Sequence, residues 1–139
     1  MEELENLLAK LGFVEKAGVK NNFRAIESLI GFNLPDDYRY YLNNYESFEG
    51  DIGDQYIVLY SPDELLAYNK ACHADDQLSY TVLIGSNGAS ENIGIRAIDQ
   101  NNYRLVTAQY IHHVDDQVEI GLSFTDMLKR LNSGIAWFS

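Results

Sequence analysis

The sequence predicts an α+β fold, a mainly antiparallel sheet of about five or six strands packed by N-terminal and C-terminal helices. From Leu4 to Tyr45 the apolar side chains recur at helical intervals. From Gln55 the period shortens to runs rich in β-branched and aromatic residues, separated by short turns of Gly, Asn and Asp. Behind Ser123 the helical spacing returns. Strands joined in series by short turns pair antiparallel. With 139 residues, 46% of them hydrophobic, the chain has material for one core, so 1–139 reads as a single domain.

Each element has its own signal. Leu4, Leu7, Leu8 and Leu11 form one stripe of a helix that Gly12 can end, with Glu2, Glu3 and Glu5 at its dipole-favoured start. A second helix, capped by Asn21 or Asn22, turns Phe23, Ile26, Leu29 and Ile30 inward and stops at Gly31. The third is expected from Pro35 to Tyr45, because proline suits a first helical position and Tyr38, Tyr41, Leu42 and Tyr45 follow at helical spacing.

Gln55–Tyr60 reads as a buried strand. It runs into Ser61-Pro62-Asp63-Glu64, a capping box, so a fourth helix should cover Pro62 to Ala71 with Leu65, Tyr68 and Cys72 on its inner side. After a loop at 73–78, strands are expected at Tyr80–Gly85, Asn92–Ile98, Tyr103–Ala108 and Gln109–Val114, with a short piece at Val118–Ile120. Ser123 then caps a closing helix that faces Phe124, Leu128 and Leu131 inward.

The candidate catalytic groups are weak. His112 and His113 stand beside Asp115 and Asp116, but adjacent residues of a strand face opposite ways and no third histidine completes a metal shell. Cys72 and His73 are sequence neighbours, whereas nucleophile and base normally come from separate elements. Gly85-Ser86-Asn87-Gly88 lacks the Gly-Lys-Ser/Thr ending of a phosphate loop and precedes a strand. The reading is a non-enzymatic chain with no cofactor and no metal.

Charge is more informative. The net charge of −11 repels phosphate backbones and anionic lipid headgroups, which excludes direct nucleic-acid and membrane partners and favours a basic protein. Cys72 is the only cysteine, no apolar stretch is long enough to span a membrane, and the start is acidic, so the expected location is cytoplasmic. Between Arg39 and Lys70 lie six acids and no base: Glu46, Glu49, Asp51, Asp54, Asp63 and Glu64.

The segment from Ile26 to Leu42 resembles the signature of the SUKH superfamily, which includes yeast cell-wall glucan-synthesis regulators and many bacterial toxin-immunity proteins. Glu27, Gly31, Leu34, Pro35, Asp37, Tyr38 and Leu42 fall in its pattern. Tyr56–Leu65, the turn Leu83–Gly88 followed by Glu91, and the closing Ser123-Phe124 with Leu128 resemble later family motifs in the same order. The resemblance implies an α+β domain that binds protein without catalysis, either an immunity protein that neutralises a cognate toxin, often a nuclease, or a regulatory scaffold. Such a domain is expected as a monomer or weak homodimer. The contact surface is expected at Glu46, Glu49, Asp51, Asp54, Asp75, Asp76 and Glu91, with Tyr45 and Phe48 as aromatic anchors.

Overall fold

The computed structural model describes residues 1–18, 20–73, 80–111 and 113–135. It is α+β, with an antiparallel six-stranded meander whose strands lie side by side in chain order. The helices are α1 (Glu2–Lys10), α2 (Arg24–Ile30), α3 (Asp36–Asn44), α4 (Pro62–Cys72) and α5 (Phe124–Asn132). The strands are β1 (Glu49–Ile52), β2 (Gln55–Leu59), β3 (Thr81–Ser86), β4 (Asn92–Ala97), β5 (Tyr103–Ala108) and β6 (Val118–Gly121). Among the described residues, no helix is long and apolar enough to cross a membrane.

One face of the sheet carries the main core. Ile52, Ile57, Leu59, Val82, Ile93, Ile95, Leu105 and Ile120 meet Leu4 and Leu8 of α1, Ile26 and Ile30 of α2, and the inward sides of α3 and α5. Tyr38, Tyr41 and Phe124 are its largest fully buried side chains. Their rings pack edge-on or tilted, with centroids 5.3 Å apart for Tyr38–Phe124 and 5.2 Å for Tyr41–Phe124.

The residues that carried the family likeness turn out to brace this core. Glu27 accepts a 2.7 Å hydrogen bond from the Leu34 N–H, which pins the loop between α2 and α3. Asp37 accepts from both the N–H and the Oγ1 of Thr125, each at 2.9 Å, tying α3 to the first turn of α5. Gly31 sits at φ +85°, the left-handed exit from α2 that favours glycine. These positions hold the scaffold together.

Helix α4 takes an unusual place. Strand β2 pairs with only the last part of β3, at Val58↔Ser86 and Leu59↔Gly85. Along the earlier part, Asn69 of α4 accepts from the Leu83 N–H and donates to the Leu83 carbonyl, both at 2.8 Å. One helical turn on, His73 Nε2 lies 3.1 Å from the Thr81 carbonyl oxygen. Two residues four apart on a helix rise about 6 Å, close to the roughly 6.8 Å that separates alternate strand residues. Side chains of α4 thus stand where a neighbouring strand would pair.

Several sequence expectations need correction. Pro35 has φ −60° and ψ 147°, so it caps α3 from outside and the helix starts at Asp36. Tyr68 is 48% exposed, and the buried positions of α4 are Leu65 and Asn69, with Cys72 partly buried. The expected strand at Gln109–Val114 is absent among its described residues. There Gln117 Nε2 donates to the Ile111 carbonyl and to Thr81 Oγ1, and a short 3-10 turn follows at Val114–Asp116. β1 falls between the expected third helix and the strand expected from Gln55, where the sequence predicts no element.

Candidate functional site

Of the six acids between Arg39 and Lys70, four gather on or beside the first hairpin, while Asp63 and Glu64 stand in the first turn of α4. Glu49 and Asp51 lie on β1 opposite Val58 and Tyr56 of β2, and alternation puts all four on the face away from Ile52 and Ile57, which enter the core. Asp54 occupies the two-residue turn, and Glu46 precedes the strand, its N–H bonded to the Val14 carbonyl at 2.8 Å. Glu46, Glu49, Asp51 and Asp54 are all exposed, and none forms an ion pair among the described residues. Among the described residues Arg39 pairs with Glu27, Arg104 with Glu119, Lys129 with Glu3 and Arg130 with Asp126.

The hairpin is built to hold that surface still. Gly53, at φ +60°, fits directly under the last turn of α5: a Cβ added there would lie 2.1 Å from the Leu131 carbonyl oxygen. At the other end of β1, Phe48 stacks on Phe13 with ring centroids 4.1 Å apart. Among the described residues β1 has a strand on one side only, so its outer backbone edge is open.

The aromatic residues beside the acids are not those the sequence pointed to. Tyr45 is 3% exposed and lies in the core, with its ring against Tyr41. Phe48 is half-buried on Phe13. Neither is presented as an anchor. Instead Tyr56, 40% exposed, donates its hydroxyl to Glu49, which raises its phenolic pKa. Tyr60 and Tyr68 stack at 4.6 Å, with Tyr68 open to solvent. Strand alternation was the signal that could have found Tyr56, since Ile57 and Leu59 of β2 are buried while Tyr56, just before Ile57, is exposed.

The remaining predicted positions separate. Glu91 is half-buried and takes a 3.3 Å hydrogen bond from Thr107 Oγ1, beside the turn after β3. Asp75 and Asp76 lie outside the described residues, as does His112.

His113 Nδ1 lies 3.6 Å from Asp116 in the exposed turn after Ile111. Burial pushes the Cys72 thiol up, which favours the neutral thiol, whereas a nucleophile needs the thiolate. His73 is turned to the Thr81 carbonyl. Ser86 and Asn87 are spent on the turn, their side-chain oxygens accepting from the N–H groups of Gly88 and Ala89. Among the described residues no group of three or more His, Cys, Asp or Glu side chains is placed to hold a metal ion.

What this arrangement can do is attract and dock: unpaired carboxylates on a braced hairpin, flanked by tyrosines. No curated protein matches the chain. The model of the SMI1 / KNR4 family (SUKH-1) matches residues 20–130.

Proposed function

The chain belongs to the SMI1 / KNR4 family (SUKH-1), and on that premise we propose that it is a non-catalytic protein-binding domain, an immunity protein that neutralises a basic toxin by covering its working surface. The observation that supports this most is the exposed β1–β2 hairpin, with Glu46, Glu49, Asp51 and Asp54 and no base among them. Nuclease toxins carry basic surfaces to hold phosphates, so a hairpin of this charge mimics the substrate's field. Inhibition then needs shape and charge complementarity and no bond-making.

The test takes the basic protein recovered with the chain by pull-down from its native cell, purified and mixed with the chain. Stopped-flow association should slow as salt rises, and Glu49→Lys with Asp51→Lys should lower the on-rate by about tenfold or more with little change in fold. Binding that ignores both salt and charge reversal sinks the reading and favours a scaffold with neutral partners.

A further inference from the structure

A concave site lies between the α2–α3 loop and the β4–β5 turn, and the family signature builds one of its walls. The loop Gly31–Asn33 faces the turn between β4 and β5 across a groove of about 460 Å³. Phe32, Tyr80 and Tyr103 line it with three aromatic rings from three separate segments, and Ile98 adds an aliphatic side chain that is 48% exposed. A neighbouring depression shares Asn33, Gln100 and Tyr103 with it and extends it to Asp36 and Arg39.

The groove is preformed. Tyr103 donates its hydroxyl to the Asn33 carbonyl at 2.8 Å, which ties the hairpin to the loop. Asp99 accepts from the N–H groups of Asn101 and Asn102 at 3.1 and 3.2 Å, which fixes the turn. Tyr80 has φ +51°, a backbone region that bulky residues rarely enter. Its carbonyl accepts from the Ala97 N–H at 2.9 Å, and its ring passes over Gly31, where an added Cβ would stand only 3.3 Å from Cε1. That strained backbone keeps a tyrosine 56% exposed at the mouth of the groove.

Its rim carries carboxylates, and the bases near them are engaged by other acids. Asp99 and Asp36 stand at the rim, and the Asn102 amide and backbone hydrogen bonds hold the Asp99 carboxyl below its ordinary value. Two bases stand near them: Arg39 is paired with Glu27 at 3.6 Å and lies over the Phe23 ring at 5.3 Å, and Arg104, whose charge also helps to lower the Asp99 carboxyl, is paired with Glu119 at 2.9 Å. Aromatic faces and carboxylates together select a flat, weakly hydrated cation.

We propose that this groove seats an arginine side chain presented by the basic partner, its guanidinium stacked among Phe32, Tyr80 and Tyr103 and facing Asp99. The partner's identity as a basic protein rests on the function proposed above, but the groove's selectivity can be measured without it. The probe is a blocked Gly-Arg-Gly peptide, titrated into the chain and followed by two-dimensional amide NMR, with the citrulline peptide as its neutral near-isostere.

Saturable shifts are expected at Gly31, Phe32, Tyr80, Ile98 and Tyr103, with the citrulline peptide weaker by about tenfold. Tyr80→Gly suits φ +51° while removing the ring, and Asp99→Asn keeps an acceptor oxygen for the turn while removing the charge. Each should weaken the arginine peptide by about threefold to tenfold, with the rest of the spectrum reporting an intact fold. Equal binding of the citrulline peptide, shifts confined to the β1–β2 acids, or an unaltered affinity in Tyr80→Gly overturns the proposal. A peptide that seats in the groove while the hairpin reversals leave partner association unchanged removes the hairpin reading alone.

Discussion

Asn69 is a polar residue at a core position of a helix, where an isolated amide is costly. Its donors go to the Leu65 and Leu83 carbonyls and its oxygen to the Leu83 N–H, so both Leu83 groups depend on it where β2 has left β3. Asn69→Ala strands two buried backbone groups, at about 1–3 kcal/mol each. The expected loss is about 2–6 kcal/mol, read as a lower midpoint in urea unfolding; a loss below about 1 kcal/mol would show that water replaces the amide easily. Tyr38 makes the opposite case. Its hydroxyl is buried with no hydrogen-bond partner among the described residues. Tyr38→Phe removes a polar atom that gains nothing there, so thermal unfolding should stay level or rise. A clear fall in Tm would mean the hydroxyl is satisfied in solution.

Among the elements, those with strong local grammar were legible and those held by distant partners were not. Ser61 and Glu64 form the expected reciprocal cap, and the leucine stripe of α1 buries Leu4 and Leu8. β1 escaped because Glu49-Gly50-Asp51-Ile52 has one β-branched residue and sits at an edge, where pairing with β2 supplies what propensity lacks. Val114 and Ile111 drew Gln109–Val114 toward a strand, yet the Gln117 amide, six residues past Ile111, captures that backbone. The acids of the candidate surface were readable as a base-free run, whereas which tyrosines stand beside them depends on strand alternation and on Asn69 taking the inward place from Tyr68. The hairpin that carries those acids is testable as a unit. Gly53→Ala drives a Cβ into the Leu131 carbonyl, so it should cost about 2 kcal/mol or more and release β1 from α5. Amide exchange at Asp51 and Ile52 should quicken more than at Ile93 and Ile95; uniform quickening would mean the hairpin and core open together.

Across the whole molecule, buried phenols set an alkaline limit. Burial pushes Tyr38 and Tyr41 well above the ordinary tyrosine value, and the hydrogen bond to Glu5 raises exposed Tyr40 to about 12. A group whose pKa is higher in the fold than in the unfolded chain contributes stability fully below the unfolded value, about pH 10, and loses it as pH climbs toward the folded value. Tyrosinate absorbance from the core rings should therefore appear together with loss of helical circular dichroism above about pH 10; complete ionisation of all tyrosines in a chain that keeps its dichroism would contradict the buried placement. The acids act at the other end of the scale. At the β1 edge of the meander, two copies could pair only by laying Glu49 and Asp51 of one along the same strand of the other. Like-charge repulsion makes that edge refuse its own twin, and added salt, by screening those carboxylates, is the condition under which this chain should begin to self-associate.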